Sequence, residues 1–88
     1  MCDIYELLKN KILEFGNFLV SVSKNEETIN KIKSLMLDMD KFKIAMFITY
    51  LNKETINNEF NSYGEFDNDT NEKFNNYIDY FIESRKFL

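Results

Sequence analysis

The chain has 88 residues, 44% of them hydrophobic and 30% charged, and a net charge of −4 from 15 acidic and 11 basic residues. That length fits one domain, residues 1–88, with an economical core and little interior left for a substrate pocket. The acidic balance argues against non-specific nucleic-acid binding and against docking on an anionic membrane, because both need an excess of Lys and Arg.

The first helix is expected after Asp3, an N-cap whose carboxylate can accept first-turn amide hydrogens, and is expected to run to about Ser21. Ile4, Leu8, Phe15, Leu19 and Val22 fall on one face at helical spacing, flanked by Leu7, Ile12 and Phe18. Leu13 and Val20 lie opposite, so this helix is expected to meet neighbours on two sides. Gly16 weakens a helix by about 1 kcal/mol relative to Ala, which points to close helix packing or a small kink.

Ser21 to Asn25 reads as a polar connection. Ser23 with Glu26 fits a capping box, and Asn25 is an alternative cap. Glu26 and Glu27 then suit the positive end of a second helix. Its expected apolar stripe is Ile29, Ile32, Leu35, Met36 and Met39, with Asn30, Lys31, Lys33 and Ser34 facing out, and Asp38-Met39-Asp40 ends it.

The run Phe42 to Leu51, FKIAMFITYL, is the most apolar stretch, and the chain reads as organised around it. As a strand it would alternate; as a helix it is apolar nearly all round. Periodicity alone does not separate the two. Helix is expected because Asp40 supplies an N-cap and no partner strand is in sight. A segment apolar on every side is expected to be the central buried helix of the bundle, reaching about Asn52.

Asn52 to Ser62 is weaker, since Asn57, Asn58 and Asn61 compete for backbone hydrogen bonds. Ile56, Phe60 and Tyr63 keep helical spacing, so the segment either continues the third helix with a bend or forms a short helix of its own. Gly64 suits the position just past a helix end. The acidic stretch Glu65 to Thr70 follows, with Asp69 and Glu72 as a capping pair. The last helix, Thr70 to about Arg85, has the clearest pattern: Phe74, Tyr77, Ile78, Phe81, Ile82 and Arg85 recur at i, i+3, i+4, i+7, i+8 and i+11. The final Phe87-Leu88 is expected to pack down.

These elements predict an all-α protein, a compact bundle of four to five short helices in a single domain. The lack of Pro and the presence of only two Gly agree with that, because all-β domains need frequent turns.

Chemistry-bearing motifs are sparse. Asp67-Asn68-Asp69-Thr70-Asn71 begins like a calcium loop, but the positions that need Gly and Glu hold Glu72 and Ile78. The chain has no His, no zinc-ligand cluster, no phosphate-binding Gly loop and no nucleophile elbow. Cys2 is the only cysteine and has no internal disulfide partner. No signal peptide or membrane span is read, which leads to the expectation of a cytoplasmic protein. The triplet Asn68-Asp69-Thr70 is then a chance match to a glycosylation site. No enzyme, metal or cofactor is expected.

What remains is aromatic surface, from nine Phe and five Tyr, together with acidity. Tyr80 and Phe87, seven apart, form a second stripe on the last helix; Tyr5, Tyr63 and Phe66 are expected to be partly exposed. Aromatic residues are enriched at interfaces. The candidate partner-binding residues are therefore Glu65, Phe66, Asp67, Asp69, Tyr80 and Phe87. They lead to the expectation of a small acidic protein-binding module whose partner carries a basic surface, with no direct nucleic-acid or membrane binding. The abundance of Asn, Lys, Ile, Phe and Tyr points to an AT-rich gene, as in many bacteria, phages, mobile elements and large viruses. An inhibitor of a host nucleic-acid-handling protein, including a CRISPR component, fits that description. A bacteriocin-immunity-type protein and a self-assembling subunit, such as a homodimer, are the alternatives.

Overall fold

The structure is a computed structural model that describes residues 3–88, so Cys2 lies outside the described residues. Five α-helices occur among these residues and no strand: α1 Ile4–Val22, α2 Glu26–Met36, α3 Lys41–Tyr50, α4 Lys53–Ser62 and α5 Asn68–Glu83, followed by a 3-10 helix, Ser84–Phe87. The all-α expectation holds. None of the helices is long and apolar enough to cross a membrane. The chain divides into two compact units, the first ending at Ala45 and the second spanning Met46–Leu88, with the division inside α3.

In the first unit, Asp3 caps α1, its Oδ1 accepting from Tyr5 N–H at 3.0 Å. Leu8, Ile12 and Phe15 are buried, so Ile12 belongs at the centre of the inner face, while Leu7 is exposed. Half-buried Leu13 and Val20 agree with a helix covered on more than one side. Gly16 has a packing reason: a Cβ there would crowd Met36 Sδ and Cγ, so the Met36 side chain of α2 lies against the bare backbone of α1 at this point.

The Ser23–Glu26 capping box does not form. Asn25 is the cap, its Oδ1 accepting from Thr28 N–H at 3.1 Å. Ser23 is occupied with the end of α1, where its N–H donates to Leu19 O at 3.0 Å. Along α2, Ile32 is buried and Ile29 and Met36 are half-buried, but Leu35 is exposed rather than part of the stripe; Met39, half-buried, lies beyond the end of the helix. Asp38 takes a positive φ of 53° in the turn that follows, a conformation that Asp tolerates better than most residues.

The second unit has an aromatic core. Phe60 stacks with Phe66 at 4.4 Å and with Phe74 at 4.0 Å between ring centroids, and Tyr63 meets Phe60 edge-on. Phe47 meets Phe81 edge-on at 5.2 Å. Phe60, Phe74, Ile78 and Phe81 are buried, which bears out the periodic face of α5. Fully burying each such side chain is worth about 1.5–3 kcal/mol.

Helix α4 is a separate element. Asn52 caps it, with Oδ1 accepting from Thr55 N–H at 2.9 Å. Gly64 follows its C-cap with φ of +145°, a backbone state that L side chains rarely adopt, so glycine is required there. The expected Asp69–Glu72 cap is corrected by two residues: Asp67 caps α5, its Oδ1 accepting from Thr70 N–H at 2.8 Å. The last turn tightens into the 3-10 helix instead of continuing to Arg85 as α-helix, with Ser84 Oγ donating to Tyr80 O at 2.7 Å. Phe87 and Leu88 are exposed rather than packed down.

Candidate interaction surface

Asp40 starts α3, its Oδ1 accepting from Lys43 N–H at 2.9 Å and its carbonyl accepting from Ile44 N–H at 3.0 Å. From there the chain advances about 100° and 1.5 Å per residue. Ile44 and Ile48 fall on one line and are 1% and 0% exposed. Phe42, Met46 and Tyr50 fall about 180° away and are 71%, 45% and 76% exposed. The expectation that α3 is buried all round is therefore overturned. Two isoleucines satisfy the core, and the opposite face presents three large side chains along about 12 Å of helix.

Exposed Thr49 and Lys43 border this stripe, while Ala45 and Phe47 are half-buried between the two faces. Leu35 and Leu37, also exposed, precede α3 in the chain. Single exposed apolar residues are ordinary. Three on one face of the most apolar helix are a different case, because they form a continuous strip suited to covering by another surface.

The residues singled out from the sequence divide into two sets. Glu65 is exposed in the α4–α5 connection, and Asp69 is exposed in the first turn of α5. Phe66 beside them is half-buried and committed to the stack on Phe60. Asp67 is committed to its cap; hydrogen bonds from the Thr70 side chain and backbone hold its carboxyl below the usual carboxylate range. Tyr80 lies near the other end of α5, and Phe87 ends the 3-10 helix that follows it. Eleven residues separate Asp69 from Tyr80, a rise of about 16 Å. Tyr80 is 39% exposed and lies edge-on to Phe81; Phe87 is 60% exposed with Lys86 Nζ 5.3 Å from its ring. The structure thus groups Glu65, Phe66, Asp67 and Asp69 at one end of the helix and Tyr80 and Phe87 at the other.

Charge is distributed unevenly. Residues 1–45 carry seven acids and seven bases, whereas residues 46–88 carry eight acids and four bases, so the whole net charge of −4 resides in the second unit. Within it, Glu54, Glu59, Glu65, Asp67, Asp69 and Glu72 succeed one another with no Lys or Arg between them. All six are exposed, and none is ion-paired among the described residues. This run is legible in the sequence as a charge count over residues 54–72, longer than the acidic stretch Glu65 to Thr70 within it. Burial, followed by the Glu59 carboxylate that accepts its hydroxyl at 3.2 Å, pushes the neighbouring Tyr63 phenol up to about 12.

The calcium-loop pattern has no loop to act on, since Asn68 to Asn71 are already helical. Among the described residues no three His, Cys, Asp or Glu side chains are grouped to hold a metal ion. Comparison of the chain with family models, curated protein sequences and solved structures finds no match.

Proposed function

We propose that the protein is a small non-catalytic binding module that docks a partner protein through the outward face of α3, and that this partner carries a basic surface. The observation that carries this reading is the exposure of Phe42, Met46 and Tyr50 on one helix face. Aromatic and Met side chains are the types enriched where interfaces are buried. The six exposed carboxylates of residues 54–72, none in an ion pair among the described residues, follow the stripe in the chain and favour a positively charged partner, by speeding encounter and by penalising acidic competitors. An inhibitor of a nucleic-acid-handling protein is the finer form of the same proposal, because such a target offers a basic groove.

The test is affinity capture from nuclease-treated host lysate with three baits: wild type, a stripe variant (Phe42→Ser, Met46→Ser, Tyr50→Ser), and a charge variant (Glu54→Gln, Glu59→Gln, Glu65→Gln, Asp69→Asn, Glu72→Gln). One basic protein retained by the wild type, lost to both variants and weakened as salt rises, is the expected result. Capture that survives the stripe variant rejects α3 as the docking face. A dimer in light scattering that the stripe variant dissolves replaces the partner with a second copy of the chain.

A further inference from the structure

The joint between α3 and α4 contains neither Gly nor Pro; its two residues are Leu51 and Asn52. Nothing in those residue types forbids one helix running through residues 41–62. An uninterrupted helix would pair Ile48 O with Asn52 N–H and Leu51 O with Thr55 N–H. Here both carbonyls are met by a side chain from the far end of the unit. Arg85 Nε donates to Ile48 O at 3.0 Å, and Arg85 Nη2 donates to Leu51 O. Thr55 N–H in turn donates to the Asn52 side chain, and Asn52 itself is extended at φ −114°, ψ 118°. Two side chains therefore stand in for the backbone bonds that a continuous helix would make.

We propose that Arg85 and Asn52 form a latch that holds α3 and α4 apart, and that releasing it lets the two join into one helix. The guanidinium suits this work because its planar fork addresses two acceptors at once, which a Lys ammonium does not do in fixed geometry. In the latched form Phe60 stacks with Phe66 and Phe74, so this form is the resting one. The latch also sets the end of α3 that carries Tyr50, although the proposal stands whether or not the stripe docks a partner.

Amide exchange and 13Cα shifts on the full chain test it. Lys53 and Glu54 open α4, where their N–H groups have no intrahelical partner and exchange quickly. In the joined helix they bond to Thr49 O and Tyr50 O. Arg85→Ala with Asn52→Ala is expected to give helical 13Cα shifts at Leu51 and Asn52 and at least about tenfold slower exchange at Lys53 and Glu54, the change of one backbone bond worth about 1.4 kcal/mol. Arg85→Lys is expected to lie between. Adding Lys53→Pro is expected to restore the break, since Pro is favoured at the first helical position, needs the extended backbone that Asn52 already has, and blocks a continuous helix. Unchanged shifts and exchange in the double variant overturn the proposal. So does general loss of helix that Lys53→Pro does not reverse, because Arg85 would then be holding the whole unit rather than the joint.

Discussion

Helices α3 and α5 make opposite use of apolar side chains. In α5 the apolar residues recur on one face, and that face is buried at Phe74, Ile78 and Phe81. In α3 they surround the helix, and only Ile44 and Ile48 are buried. The helix richer in apolar residues thus gives less of its surface to the core. Density of apolar residues is a poor guide to burial; their period is a better one, because it encodes which side faces the protein. Where the period is absent, part of the apolar surplus stays exposed, as Phe42, Met46 and Tyr50 do here.

The largest effect that sharpens this contrast is between helices. Phe81→Ala on α5 is expected to lower unfolding stability by about 3–5 kcal/mol, as for a buried Phe. Phe42→Ala on α3 is expected to stay within about 0.5 kcal/mol of wild type. Urea unfolding of both variants reads the difference, and equal losses would break the comparison. The next effect lies within α3 itself. Ile48→Ala is expected to cost about 2–5 kcal/mol, against less than about 1 kcal/mol for half-exposed Met46→Ala.

A smaller effect is expected at the start of α3. With so little of its surface buried, this helix depends on its cap, and Asp40→Ala should cost about 1 kcal/mol and increase amide exchange in the first turn. A further effect is pH-dependent and belongs to the α4–α5 side. An unfolded tyrosine ionises near 10, and Tyr63 in the folded chain at about 12. The unfolded state therefore loses its proton first. The Tyr63 contribution is fully present below pH 10 and disappears as pH rises from 10 to 12. The urea midpoint of wild type should fall across that window more than the midpoint of Tyr63→Phe.

Much of the local structure was legible in the residues. Asp3 and Asp40 cap where short carboxylates precede apolar runs, and the face of α5 follows from its spacing. Other features depended on competition between near-equal local choices. Asp67 caps α5 although Asp69 offers the same chemistry two residues later. Asn25 caps α2 although Ser23 had a Glu at the right distance, because Ser23 is taken up in closing α1. The exposed face of α3 could not be read, since a helix apolar all round carries no mark of which side turns inward. Arg85 was visible as a polar residue in line with an inner face, but its acceptors are backbone carbonyls 34 and 37 residues away, and carbonyls carry no sequence signature. Of the aromatic candidates, Phe66 was drawn into the core by Phe60, whereas Tyr80 and Phe87 kept accessible surface.

On the proposed reading, the outer face of α3 adds little to folding and is the surface that meets a partner. Equilibrium urea unfolding of Phe42→Ser, Met46→Ser, Tyr50→Ser beside wild type tests it most directly. The prediction is an unchanged slope and an unfolding free energy lowered by no more than about 1 kcal/mol in total. A loss of several kcal/mol would contradict the claim, because it would mean that these three side chains are packed in the folded chain and that α3 is core on both faces.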